Sequence, residues 1–290
     1  MDAALIETFE PHEEIELDLL LEAIWRHYHY DFRGYSRGSL HRRLVRAMQR
    51  FRCTSLSELQ HRILREPAAF AELMGFLTIQ VSEMFRDPGY FRVLRENVIP
   101  HLKTFPSIKI WIAGCANGEE FYSLAILLRE EGLEDRAIYY CTDISPAALK
   151  RAQAGVYDLD RMAQFTENHQ QSGARTSLSE YYTAAYGSAV FDKSLRRRAV
   201  FAEHNLASDE VFSEVHLVSS RNVLIYFDRP LQDRALGLFA DSLVRGGFVG
   251  LGTKETLRLS RYSPAFGDFD DHMKIYRRNT LPLREITHAP

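Results

Sequence analysis

The stretch KIWIAGCANGEEFYSLAILLREE, residues 109–131, places the strictest condition on how this chain can fold. An apolar run ends at Gly114, a short loop reaches Gly118, and two glutamates open a helical pattern running to about residue 131. A strand that turns so quickly into a helix belongs to a sheet with that helix laid back upon it. Further apolar runs at 137–142, 199–203, 215–219 and 247–252 alternate with helical patterns near 145–154 and 230–244. Gly132 sits just past the first helix, and Ser145-Pro146 caps the second. Short apolar strands alternating with helices predict an open α/β sheet with crossover connections. Residues 273–278, MKIYRR, add a candidate final strand.

The first 105 or so residues follow a different grammar, with no strand-like alternation. Residues 16–30 form an amphipathic run, and Ser39 is placed to cap a helix through about Arg52. Ser55 and Glu58 make a capping-box pattern for the next helix. Pro67 fits the first turn of a helix to about Leu77, and Asp87-Pro88 opens another to about Lys103. The break near 105–108 is therefore the expected boundary between an α-helical domain (1–105) and an α/β domain (106–290). Residues 158–198 fit neither grammar and read as an insertion or subdomain, with 160–178 expected to be a flexible polar loop.

Composition fits a globular chain, with 46% hydrophobic and 26% charged residues. The N-terminus is acidic, unlike a secretory signal, and no apolar run approaches the ~18–20 residues that span a bilayer. Three cysteines without paired or metal-ligand spacing fit a reducing, cytoplasmic setting, with no metal site expected. The net charge of −3 hides an asymmetry: residues 2–22 hold eight acids and no Lys or Arg, while residues 32–57 hold seven arginines and no acid.

In an open α/β sheet, ligands bind beyond the carboxyl ends of the strands. Gly114 and Gly118 would let the backbone approach such a ligand. The G-x-x-x-G spacing misses the dinucleotide fingerprint and lacks the lysine of a phosphate-binding loop. A helix N-terminus welcomes anions, yet Glu119 and Glu120 would repel a pyrophosphate there. They suit a ligand with positive charge and no phosphate, such as S-adenosylmethionine. A helix that simply carries acids in its first turn is the plain alternative. The second strand ends in TDIS, where Asp143 stands where such folds hold ribose hydroxyls; its plain alternative is a cap on the following helix. A third apolar strand ends at Ser219-Ser220, so that Arg221 and Asn222 point at the same crevice, with Tyr226 just beyond. Arg221 as a surface ion pair and Tyr226 as core are the alternatives there.

Together these residues resemble the CheR-type chemotaxis receptor glutamate O-methyltransferase family. The resemblance runs through DFRGYSRGSLHRRL, TIQVSEMFRDP, IWIAGCANGEEFYSLA, TDIS, AEHNL, RNVLIYFD and GGFVGLGTKETL, in the family's order. It implies a helical N-terminal domain, a class I (Rossmann-like) methyltransferase domain and a small β insertion within 158–198. By position it implies cofactor contacts at Gln80, Ser82, Arg86, Glu119, Asp143, Asn205, Leu206, Arg221 and Asn222, beside the approach at Gly114 read from the turn itself. It sets Arg86 and Tyr226 near the methyl-transfer centre, with S-adenosylhomocysteine as product. The chain departs from the family at Gln80, Ser82, Met84, Phe121 and Ser220, and at Thr253-Lys254, where Gly-His-Ser-Glu becomes Gly-Thr-Lys-Glu. The first two keep an amide and a hydroxyl; the last bears on the acceptor.

On a helix from Leu40, Arg42, Arg46 and Arg50 fall one turn apart with Arg43 alongside, opposite an apolar stripe. The resemblance makes this basic face a docking site for the acidic helical methylation segment of cytoplasmic receptor domains. A solvated face is the bland alternative. Nucleic acid would fit the same charge, but interleaved aromatics and a base-modifying signature are missing, so none is expected. The short hairpin around Tyr186-Gly187-Ser188 predicts no tethering to a receptor's C-terminal pentapeptide. The expected activity is methyl transfer to glutamate carboxylates of chemoreceptor-like proteins. A non-catalytic cofactor-binding regulatory module and a methyltransferase with a nucleic-acid acceptor are the competing readings.

Overall fold

The computed structural model describes residues 10–279, which divide into two units. The first comprises the described residues up to Ile79 together with Asn205–Asp209 and Tyr226–Ala235. It holds helices α1 (Pro11–Tyr28), α2 (Arg37–Phe51), α3 (Leu56–Arg65) and α4 (Pro67–Leu77). Their apolar stripes meet in one core: Leu17, Leu20 and Ile24 from α1, Leu40, Leu44 and Ala47 from α2, Leu59 and Ile63 from α3. Helix α2 starts two residues before Ser39, which instead accepts a hydrogen bond from Arg43 inside the helix. At α3, Ser55 Oγ accepts from the Glu58 amide, and the Glu58 carboxylate takes the Thr54 amide rather than that of Ser55. Within this unit Ser36 donates to the Tyr226 carbonyl, and Tyr35 and Phe227 form a short antiparallel bridge.

The second unit begins at Gln80, well before the expected break near 105. The reason is packing. Helix α5 (Pro88–Val93) continues through a π-helical turn at Leu94–Val98 into α6 (Ile99–Leu102). Its Tyr90, Phe91, Leu94, Val98 and Leu102 are buried in the same core as Ile108, Ile110 and Leu124 of the α/β layer. The π turn precedes Pro100, which has no N–H to donate to the Glu96 carbonyl.

Strand β1 (Ile108–Ala113) leads into α7 (Glu119–Glu130), then β2 (Ala137–Asp143) and α8 (Pro146–Ala154). After the insertion come β6 (Ala199–Glu203), β7 (Val215–Ser220), α10 (Arg229–Ser242), β8 (Leu243–Leu251), β9 (Phe266–Asp270) and β10 (Ile275–Arg278). The seven strands order as β6-β2-β1-β7-β8-β10-β9. The first five are parallel in that order, and β10 runs antiparallel to both its neighbours. Chain order reverses between β1 and β7, so the crevice at their carboxyl ends is the switch point where such sheets bind ligands.

The insertion carries a separate antiparallel sheet, order β3-β5-β4, of β3 (Val156–Asp158), β4 (Tyr182–Ala185) and β5 (Ser188–Phe191). The flexible loop expected at 160–178 is instead largely helix α9 (Met162–Gln171), anchored by buried Met162, Phe165, Asn168 and His169. Tyr186 and Gly187, both at positive φ, make the two-residue turn of the β4–β5 hairpin. Among the described residues no helix is long and apolar enough to cross a membrane.

Candidate cofactor site

The turn after β1 is tied to β2 by backbone bonds. Gly114 and Cys115 donate to the Thr142 carbonyl at 2.8 and 2.9 Å. Both glycines lie at positive φ, and protein fills the space beside them. A Cβ on Gly114 would fall 2.6 Å from Val223 Cγ2, and one on Gly118 2.9 Å from Ala152 Cβ. Here the expectation changes: these glycines admit neighbouring protein, and at Gly118 that neighbour is helix α8.

The Ala116 amide donates to Asp143 Oδ2 and the Ser145 amide to Oδ1, both at 2.9 Å. Asp143 does not cap α8, a task done by Ser145, whose Oγ accepts from Ala148. Burial pushes the Asp143 carboxyl above its ordinary value, against these bonds and one from the Gln80 side chain. Asn117 Nδ2 donates to the Gln80 carbonyl, and Gln80 Oε1 is buried without a partner.

The two glutamates of the turn serve opposite sides. Glu119 is fully buried, with Oε1 2.9 Å from Arg161 Nη1 and Oε2 unpartnered. Burial pushes its pKa up while Arg161 holds it back. Glu120 instead accepts from Ser219 Oγ and Arg221. Arg221 is therefore engaged by protein: its side chain is 1% exposed, 2.6 Å from Asp87 Oδ2, and lies over the Tyr90 ring. It also donates to the Arg86 carbonyl. Next to it, Asn222 sits at φ +60 and its amide donates to Glu255 Oε2 at 3.0 Å. Glu255 takes the Gly252 and Ile225 amides too, and burial raises its pKa against all these bonds. Asn222 Oδ1 is buried with no partner.

Arg86 stands on a strained turn, with Phe85 at φ +51 and Asp87 at φ +54. The turn is pinned by the Phe85 amide on Ser123 Oγ, Asn168 Nδ2 on the Met84 carbonyl, and Arg161 on the Ser82 carbonyl. Among the described residues the half-buried Arg86 guanidinium has no partner.

Gln80, Ser82, Arg86, Gly114, Glu119, Asp143, Arg221 and Asn222 all belong to the second unit. Asn205, Leu206, Tyr226 and the arginines of α2 belong to the first. In that unit Asn205 accepts from the Ala207 amide, its Nδ2 is buried without a partner, and Leu206 is buried. The Tyr226 ring lies 4.8 Å from the Arg43 guanidinium. Arg43 is not part of an outward basic face: it is buried and donates to the Leu77 carbonyl and Ser39 Oγ. Arg50 pairs with Glu72, and the acids of α1 take Arg33 and Arg37, leaving Arg42, Arg46 and Arg52 exposed and unpaired among the described residues. Sequence reasoning missed Asn117, Arg161 and Glu255, whose roles rest on contacts distant along the chain.

The unsatisfied oxygens test what this crevice accepts. Gln80 Oε1, Glu119 Oε2 and Asn222 Oδ1 are all hydrogen-bond acceptors, accompanied by the buried carboxylate of Asp143. Buried polar atoms of this kind need donors. The ammonium, ribose hydroxyls and adenine amino group of S-adenosylmethionine are donors. A pyrophosphate would meet these acceptors, and the buried Arg221 is already held by two carboxylates, with only its Nε left without a partner.

Residues 80–266 match the CheR methyltransferase SAM-binding domain, and residues 15–78 match the CheR methyltransferase all-alpha domain. The chain is 53% identical to a Pseudomonas putida protein designated methyltransferase Cher3, over 94% of this chain and 100% of that one. It is 30% identical to the chemotaxis protein methyltransferase of Listeria innocua, over 78% of this chain and 84% of that one. The corresponding Vibrio anguillarum protein is also 30% identical, over 74% and 79%. The chain belongs to the CheR methyltransferase family, and S-adenosylmethionine is its cofactor.

Proposed function

We propose that this methyltransferase forms methyl esters on glutamate side chains in the cytoplasmic helical domains of chemoreceptor-like proteins. The observation that carries the reading is Arg86, a guanidinium without a protein partner, held on a strained turn between the loop at 80–84 and the clamp around Arg221. The cofactor supplies the electrophilic methyl group, so the protein's task is alignment. A glutamate with a reference pKa of about 4.3 is already ionised near neutral pH and needs no base. Arg86 offers two parallel donors that fix a carboxylate in a plane. The names of relatives from Listeria and Vibrio support an acceptor in chemotaxis. Tyr226 is proposed from the resemblance as a second group acting on the acceptor.

The test is transfer of label from S-adenosylmethionine to purified receptor fragments, read as a base-labile ester. Arg86→Ala is expected to lower kcat/KM by about a hundredfold, as misplacement of an aligned reactant does. S-adenosylhomocysteine binding without any ester on any receptor would instead favour a regulatory, non-catalytic module.

A further inference from the structure

We infer that Arg161, a residue of the insertion, is a positioning residue that fixes Glu119 as an oriented carboxylate for the cofactor's ammonium. The inference rests on Glu119 being the group that meets the ammonium.

Arg161 closes the short 3-10 turn Leu159–Arg161 just ahead of α9, and its guanidinium reaches two partners at once. Nη1 lies 2.9 Å from Glu119 Oε1, at the start of α7, and Nη2 donates to the Ser82 carbonyl. The ring of Phe165, one turn along α9, supports the guanidinium at 4.7 Å. Arg161 also lines a cavity of about 370 Å³ together with Gln80, Ser82 and Phe165. With Oε1 occupied, the free oxygen of Glu119 has one orientation, and it is the buried atom lacking a donor.

The charge matters as well as the geometry. A fully buried glutamate disfavours its ionised form, and burial is the largest influence on Glu119. Its surroundings are Arg161 from the insertion, Arg151 from α8, Tyr157 from β3 and Cys115 from the turn. Tyr157 and Cys115 are themselves buried and pushed toward their neutral forms. Arg151 donates to Asn117 Oδ1, so Arg161 is the cation hydrogen-bonded to Glu119 itself. Without it Glu119 would take up a proton at a higher pH and lose its hold on an ammonium.

The test compares two probes across pH 5.5 to 8.5 by calorimetry with the full chain: S-adenosylhomocysteine, which carries the ammonium, and 5′-methylthioadenosine, which lacks it. Arg161→Gln is expected to weaken S-adenosylhomocysteine about tenfold near neutral pH, the scale of one charged hydrogen bond. Its acid limb should move to higher pH while methylthioadenosine affinity stays within about twofold. Arg161→Lys should restore most of the loss. In a Glu119→Gln background, Arg161→Gln should add little. If Arg161→Gln weakens both probes equally, or leaves the acid limb in place while Glu119→Gln weakens S-adenosylhomocysteine, Arg161 is merely structural and the inference fails. If Glu119→Gln leaves S-adenosylhomocysteine binding intact, the ammonium reading falls and this inference with it.

Discussion

Neighbouring residues in one turn carry different physics here. Glu120 is spent on Ser219 and Arg221 and stabilises the fold, whereas Glu119 keeps one oxygen buried and unsatisfied. That arrangement trades stability for binding, and the sign follows from linkage. Burial raises the Glu119 pKa above its ordinary value of 4.5, so the folded chain holds the ionised form less readily than the unfolded chain. Its stabilising contribution is complete below that ordinary value and is lost as pH rises through the raised one. Glu119→Gln should therefore unfold at a higher temperature than the wild type at pH 8, by roughly 1 kcal/mol, a common gain when a functional site is relaxed. At pH 4 the two should converge. Thermal unfolding at the two pH values checks this, and a wild-type advantage at pH 8 would contradict it. Arg221 carries the same lesson. The motif located it correctly at the end of β7, but nothing in RNVLIYFD reveals that its guanidinium is consumed by Asp87 and Glu120.

At the level of elements, the buried parallel strands were the legible part of the chain. Strands β1, β2 and β7 are near-continuous apolar or β-branched runs bounded by turn residues, which is how a strand covered on both faces reads, and the half-exposed edge strand β6 shares the apolar run. Helix α9 was invisible because two of its four buried residues are Asn168 and His169, which interrupt an apolar period. Strand β9, FGDFD, was missed because glycine and two aspartates hide an edge strand. The Arg161–Glu119 pair joins residues 42 apart, beyond any local pattern. The glycines of the turn give an element-scale prediction. Gly118→Ala combines φ +93 with a Cβ 2.9 Å from Ala152 Cβ and 3.0 Å from its Cα, where helix α8 would have to retreat from α7. It should cost about 2–4 kcal/mol in urea unfolding, adding overpacking to left-handed strain. Gly132→Ala, at φ +70 with nothing within 4 Å, should cost only about 1–2 kcal/mol. Equal losses would show that backbone strain alone matters at Gly118.

Across the whole molecule, the chemistry divides between the two units. The second holds the acceptor oxygens that suit the cofactor together with the unpartnered Arg86, and the first holds exposed, unpaired arginines around α2. The sequence's arginine block overstated that charge, because Arg43 is buried, Arg50 meets Glu72, and Arg33 and Arg37 meet Glu22 and Asp18 of α1. Exposed Arg42 and Arg46, one turn apart on α2, and Arg52 at its C-cap remain for a partner. Exposed charges act mainly on encounter and orientation, and salt screens them over about 8–10 Å. The double change Arg42→Glu with Arg46→Glu should thus act on receptor encounter and leave the cofactor chemistry alone. S-adenosylhomocysteine affinity should stay unchanged while the KM for an acidic receptor fragment rises about tenfold at low salt, with kcat nearly constant. Raising the salt should narrow the gap between variant and wild type, because the wild type loses its steering as well. A fall in kcat at saturating receptor, or a parallel loss of cofactor affinity, would mean that these arginines do more than steer the acceptor.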